Sequence, residues 1–403
     1  MGLLTNIGIL YQCRPDGAQA DVHPIRDAAL AWEGDRITWV GPAADLPAGF
    51  DAGERWDAGG RLVVPGLVDC HTHLAFGGWR AEEFVAKLAG ASYLDIARAG
   101  GGIASTVART RAASTESLVA RCRDHLREMA ALGVTTVEAK SGYGLDREHE
   151  LRLLDVYRTV QAQVPQTIVP TLLAAHTVPP EYRERRERYV DLVVDEIIPA
   201  AAARGLARFC DVFVEETAFS PAEGRRVLEA GLAHGLVPKI HADQITDTGG
   251  AALAAAVGAA SADHLERVDD AGIRAMAAAG VVAVTLPLAS LYLHQPPVAA
   301  RRLIEAGVRV AVATDFNPGS APSFHLPFAM TLAATLQRMT PSEVLKGVTS
   351  VAAAALRLDG TLGSLEVGKR ADAAIIDAES IDHWLYHLRA NACVGTLIGG
   401  RRV

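Results

Sequence analysis

Between residues 66 and 315 the chain alternates two hydrophobic patterns. Short, nearly continuous apolar runs recur: GLVDCH (66–71), GVTTVEAK (133–140), TIVPTLLAAH (167–176), CDVFVEE (210–216), VPKIHAD (237–243), ASADHLE (260–266), VVAVTLP (281–287) and RVAVATD (309–315). Between them lie Ala-, Leu-, Arg- and Glu-rich stretches with apolar residues three and four apart, such as Glu148–Gln163 and Pro221–His234. The first pattern predicts strands and the second helices. Eight strands alternating with helices predict an α/β protein, a closed parallel (β/α)8 TIM-like barrel. A doubly wound open sheet is the competing arrangement, but no G-x-G-x-x-G follows the first strand.

The flanks follow a different rule. In DAALAWEGDRITWVGPAADL (27–46) apolar and polar residues alternate and are interrupted by Gly34 and Gly41, which suits a hairpin. Beyond residue 315, two helical stretches are expected up to about Leu358. LGSLEVGKRADAAIIDAES (362–380) and GTLIGGRRV (395–403) then return to strand character. The expected organisation is a small composite β-sandwich domain built from residues 1–63 and 360–403, with the barrel, residues 64–359, inserted between them.

Composition narrows the setting. The chain has 403 residues, 50% hydrophobic and 21% charged, with a net charge of −8. That balance argues against nucleic acid and against an anionic membrane surface as partners. Five cysteines (Cys13, Cys70, Cys122, Cys210, Cys393) lack paired spacing, which argues against a disulfide framework or a zinc knuckle. The start, MGLLTNIGIL, has no basic region before a long apolar one, and Asn6 stands where a myristoylation signal needs Ser or Thr. The Ala-rich run at 251–262 is too short and Gly-rich to span a bilayer. A cytoplasmic location is the expectation.

The chemistry gathers at the ends of the predicted strands, where barrel active sites lie. His71 and His73 leave the first strand two residues apart, hence on one side of it. That pair is either half of a metal site or two satisfied polar residues. His176 ends the third strand, His241 the fifth and His264 the sixth, while Asp315 and Asn317 follow the eighth. Five histidines at one end of one barrel favour a metal. Three imidazoles and a carboxylate suit one divalent cation, zinc or ferrous iron. An ion there brings water towards ionisation at neutral pH, and a neighbouring carboxylate can take its proton. This is the equipment of metal-assisted hydrolysis.

His-x-His after strand one, His after strands five and six, and Asp after strand eight resemble the amidohydrolase superfamily. DCHTHLAFGGWRAEEF, GASYLDIARAGGGIASTV, VEAKSGYGLD, AAHTVPPEY, KIHADQ, SADHLE and TDFNPGS are similar, more narrowly, to the imidazolonepropionase family. This resemblance implies hydrolysis of the cyclic amide 4-imidazolone-5-propanoate to N-formimino-L-glutamate, the third step of histidine degradation. It implies one metal ion per chain, Zn(2+) or Fe(2+/3+), held by His71, His73, His241 and Asp315, and a homodimer. His264 falls on the family's catalytic histidine. The substrate contacts fall on Arg80, Tyr143, His176, Gln244, Asn317, Gly319 and Ser320, and Arg80, Tyr143 and His176 are expected to bind the propanoate.

Gln244 departs from the Glu often found at its position. An amide has no useful basicity at neutral pH, so Asp315 and His264 are expected to carry the catalytic proton chemistry, with Gln244 helping to position water or the ring. NPGS (317–320) is either a loop offering backbone N–H groups to an anion or a plain turn. Lys140, after strand two, is expected to be a structural or substrate-proximal cation, not a metal-bridging lysine. A related deaminase or other cyclic-amide hydrolase would share the metal ligands without the anion-binding residues.

Overall fold

The computed structural model describes residues 1–47, 50, 53–90 and 100–403. Residues 91–99, inside one stretch that carries the family resemblance, lie outside the described residues. The eight barrel strands are Leu67–Asp69, Val134–Lys140, Thr167–Ala175, Phe209–Val214, Val237–Ala242, Ser261–His264, Val282–Thr285 and Val310–Val312. Each pairs in parallel with the next in sequence. The ring closes where the eighth strand meets the first. There Thr72 bridges Phe316, His73 N–H donates to Phe316 O at 2.8 Å and Asp315 N–H to His71 O at 3.0 Å. Closure thus runs through the residues that carry the expected chemistry.

The helices begin where the sequence supplies caps. Asp146 accepts from His149 N–H to start Arg147–Gln161, and Ser220 with Glu223 forms a reciprocal box at the start of Pro221–Ala233. Between the eighth strand and Leu358 there are three helices, not the two expected: Leu326–Gln337, Pro341–Gly347 and Ser350–Ala355. Thr340 and Glu343 cap the second, and Thr349, with a non-helical backbone, separates it from the third.

The terminal strands come together as expected, and they do so as one continuous sheet. Its order is Arg401–Arg402, Cys393–Ile398, Ala373–Ile376, Leu62–Pro65, Gly2–Tyr11, Pro24–Glu33 and Arg36–Pro42, with Glu54–Asp57 also paired to Gly2–Tyr11. The sheet folds over its own core. Leu30, Trp32 and Ile37 from one end share an apolar cluster with Ala373, Ile375 and Leu397 from the other. Trp32 Nε1–H donates to Gly400 O across the gap at 2.9 Å.

A single residue, Gly66, separates Leu62–Pro65 in this sheet from Leu67–Asp69 in the barrel. Its N–H donates to Asp372 O at 2.9 Å. A Cβ on it would lie 2.3 Å from Thr135 Oγ1, so only glycine fits the crossing.

No helix among the described residues is long and apolar enough to cross a membrane.

His125, on the helix Thr115–Ala131, packs among Phe76, Trp79, Phe316 and Phe324 beside the closure. Burial pushes its pKa down to about 4, below the ~6.5 of an unfolded chain. As pH falls, the unfolded state therefore takes up this proton first. The neutral ring's contribution to stability is complete above pH ~6.5 and is lost as pH falls to about 4. His125→Phe should flatten the decline of stability across that window, read by urea unfolding at several pH values. An unchanged pH slope would contradict this account.

Candidate active site

The strand ends bring five histidines and Asp315 into contact. The His71 ring centroid lies 5.4 Å from that of His73, 4.6 Å from His241 and 5.7 Å from His264. Candidate ligand atoms within 4.8 Å of one another form two triads that share His71: His71, His73 and Asp315, and His71, His241 and His264. The geometry puts His264 within ligand reach, so its separation from the ligand set rests on the resemblance alone.

The atoms fit a cation. Nε2 of His71 and of His241 are buried and have no hydrogen-bond partner, although buried polar atoms are nearly always satisfied. Asp315 Oδ1 stands 3.4 Å from Nε2 of both His71 and His73. The opposite nitrogens are engaged: His71 Nδ1 contacts Asp263 Oδ2 at 2.6 Å, and His241 Nδ1 contacts Asp211 at 3.1 Å. Carboxylates accept, so each Nδ1 carries the proton and each Nε2 offers a lone pair to the centre.

Those carboxylates belong to a buried ionic lattice inside the barrel. Lys140 Nζ contacts Asp211 Oδ2 at 2.7 Å, Glu138 Oε1 at 2.8 Å and Asp263 Oδ2 at 3.5 Å. Lys239 Nζ contacts Glu138 at 3.1 Å and Asp263 at 3.7 Å, and donates to Cys70 O at 3.1 Å. Burial opposes the charge of Asp263, but Lys239, Lys140 and His71 outweigh it and hold the carboxyl well below the usual range. Lys140 is therefore a structural cation and does not face the cavity. Sequence reasoning passed over Glu138, Asp211, Lys239 and Asp263. The available signal was charge at spacing two inside apolar runs, as in Glu138-x-Lys140 and Lys239-x-His241, which sends both side chains to one strand face.

Every expected site residue except His71 and Gly319 lines one cavity of about 410 Å³. Asp315 and His264, which line it, have positive φ (55° and 79°), costly backbone of the kind stored at functional sites. Arg80 precedes the helix Ala81–Leu88 and reaches the cavity from the side. Its guanidinium lies flush on Gly319, where a Cβ would come within 1.0 Å of Nη2. Gly319 thus seats Arg80.

The NPGS segment is a turn. Asn317 Oδ1 accepts the N–H groups of Gly319 and Ser320, both at 2.8 Å, and so uses the donors that an anion would need. Gln244 lines the cavity, on a loop held by Glu215, whose carboxylate accepts from Ile245 N–H at 2.8 Å and from Thr246.

His176 stacks on His73 at 5.0 Å, and its Nδ1 lies 3.0 Å from Gly142 O. Burial and the neighbouring His73 push its pKa down to about 3. The ring is neutral, donates through Nδ1 and keeps Nε2 as an acceptor. That tautomer does not suit the anion-binding part expected of it, because a lone pair repels a carboxylate. His264 is also buried, with a pKa lowered to about 4, and its Nδ1 is 3.8 Å from Glu266 Oε2.

The profile of the amidohydrolase family matches residues 62–403. Among solved structures, a triazine hydrolase variant superposes with a TM-score of 0.78 at 17% identity, covering 100% of this chain and 94% of that one. An adenosine deaminase from Xanthomonas campestris with bound Zn gives a TM-score of 0.72 at 19% identity, covering 100% and 92%. At these identities the likeness shows the fold.

Closer relatives narrow the class. The imidazolonepropionase of Polaromonas sp. is 49% identical over 378 residues, covering 92% of this chain and 88% of that protein. That of Caulobacter vibrioides is 50% identical over 370 residues, covering 91% and 92%. The chain belongs to the amidohydrolase family and, within it, to the imidazolonepropionases.

Two outcomes follow from this geometry. Asp263→Asn removes the acceptor that fixes the His71 tautomer and should weaken divalent-metal affinity roughly 10- to 100-fold in chelator competition. Gly319→Ala should displace Arg80 and raise KM about tenfold at unchanged metal content; a wild-type KM would mean that the seat is not needed.

Proposed function

We propose that the cavity hydrolyses the cyclic amide of 4-imidazolone-5-propanoate to N-formimino-L-glutamate, with one divalent ion, zinc or iron, held by His71, His73, His241 and Asp315. The reaction is that of the imidazolonepropionases, to which the chain belongs. One observation supports a cation here above others: the buried, unpartnered Nε2 atoms of His71 and His241, with Asp315 Oδ1 3.4 Å from that of His71. A guanidinium in the same cavity supports a carboxylate-bearing substrate.

Bound there, a divalent ion supplies Lewis acidity, which lowers the pKa of water towards neutrality. The chain supplies the rest. Arg80 and the Tyr143 hydroxyl bind the propanoate. Neutral His176 accepts from a ring N–H at Nε2, and the ring is thereby oriented by one anion contact and one lone pair. Neutral His264 lies beside the reacting carbonyl and positions it. As water oxygen adds to the carbonyl carbon, an Asp315 oxygen takes one of its protons. It returns that proton to the ring nitrogen as the C–N bond breaks, and the new carboxyl group gives up water's second proton to the basic formimino nitrogen, leaving a second carboxylate and an opened formimino group. Gln244 orients without exchanging protons.

The direct test is turnover of 4-imidazolone-5-propanoate by purified protein, with elemental analysis of the same sample. One metal equivalent per chain is expected; two tightly bound equivalents would contradict the ligand set. Arg80→Met should lower kcat/KM by roughly 30- to 1000-fold with metal content unchanged. An analogue carrying a carboxamide tail should be insensitive to that substitution. Equal losses on both substrates would show that Arg80 supports the loop and not the anion.

A further inference from the structure

We propose that Glu150 is a positioning residue for this reaction: its carboxylate sets the loop 141–145, and through that loop both the Tyr143 hydroxyl and the acceptor nitrogen of His176. The inference rests on the substrate-binding reading above.

Glu150 lies fully buried in the first turn of the helix Arg147–Gln161. Its oxygens accept from Gly142 N–H at 3.0 and 3.2 Å, Gly144 N–H at 2.7 Å and Leu145 N–H at 2.8 Å. Among the described residues it makes no ion pair with Lys or Arg. Nor does it cap its helix, since Asp146 already does so. A buried carboxylate without a cation is costly unless hydrogen-bonded, and this one spends its acceptors on a single loop.

The loop needs such an anchor. Gly142 (φ 101°) and Leu145 (φ 51°) are in left-handed backbone, which is unfavourable for Leu145. Three N–H groups converge on this one carboxylate, an arrangement that favours an anion. Gly144 also comes too close for a side chain, because a Cβ there would lie 2.4 Å from Glu150 N.

The two sides of Gly142 connect this anchor to the site. Its N–H donates to Glu150, while its carbonyl accepts from His176 Nδ1 at 3.0 Å. A carbonyl can only accept, so the proton stays on Nδ1 and Nε2 remains free for a ring N–H. Tyr143, the next residue, lines the cavity. One carboxylate thus fixes a donor and an acceptor on the substrate side without touching substrate.

Glu150→Gln tests this, because its amide turns two donor hydrogens towards the backbone N–H groups that the carboxylate accepts from. The expected result is a KM for 4-imidazolone-5-propanoate raised about 10- to 100-fold, kcat changed far less, and metal content unchanged. The 15N shifts of His176 should lose the pure Nδ1–H pattern. Glu150→Asp, which keeps the charge, should recover part of the loss, and it gives the same readouts where the amide variant does not fold. Tyr143→Phe is the reference, and the double variant should fall short of additive. A folded Glu150→Gln protein with lowered thermal stability but wild-type KM and His176 shifts would overturn the proposal. Tyr143→Phe at wild-type KM would instead overturn the carboxylate reading, and the His176 shifts would then decide the role of Glu150 alone.

Discussion

Five charges buried inside the barrel govern the rest of the site. Lys140 and Lys239 sit among Glu138, Asp211 and Asp263, with none of the five exposed by more than 1%. Desolvating so many ions is tolerable only because each contacts an opposite charge, and removing one partner typically costs about 3–5 kcal/mol. What the lattice contributes is direction. By setting Asp263 and Asp211 against His71 and His241 it places the protons of those rings on Nδ1 and leaves both Nε2 atoms without a partner. A neutral, well-packed interior could fill the same volume without fixing those tautomers.

Above this floor the site changes character. The proposed metal ligands stand on strand ends locked by ring closure, where the backbone of His71 and His73 bonds that of Asp315 and Phe316. The residues facing the proposed propanoate come from loops: Arg80 on the seat of Gly319, and Tyr143 on the loop gathered around Glu150. Rigid strands suit chemistry shared across a family, whereas loops suit discrimination among substrates.

Much of this was legible in the sequence. The eight barrel strands were readable because both faces are buried, giving short apolar runs, and because histidines and Asp315 mark their ends. Helical spacing located Glu148–Gln163 and Pro221–His234 closely, but not the break at Thr349 that divides the last stretch. Long-range pairing was hidden. Trp32 and Gly400 meet 368 residues apart, and although both ends were expected in one β domain, no local pattern gives the strand order of their shared sheet. The ionic lattice was hidden for another reason: Glu138, Asp211, Lys239 and Asp263 reveal their purpose only once the barrel brings them face to face. The tautomer of His176 depends on a carbonyl of another strand's loop, and the Asn317 turn on which donors its side chain captures. Residue identity alone decides neither.

The single-residue crossing at Gly66 has a consequence for the order of assembly. The strand that leads into His71 and His73 is continuous with Leu62–Pro65, and that strand pairs with Ala373–Ile376, near the far end of the chain. A ribosome therefore releases His71 and His73 long before Leu62–Pro65 gains this neighbour in the terminal sheet. Closing so large a loop is slow compared with forming local helices. The strand Leu62–Pro65 thus waits with one flank open until residues 373–376 are made, whereas the barrel strand it leads into can close against the eighth strand about sixty residues earlier.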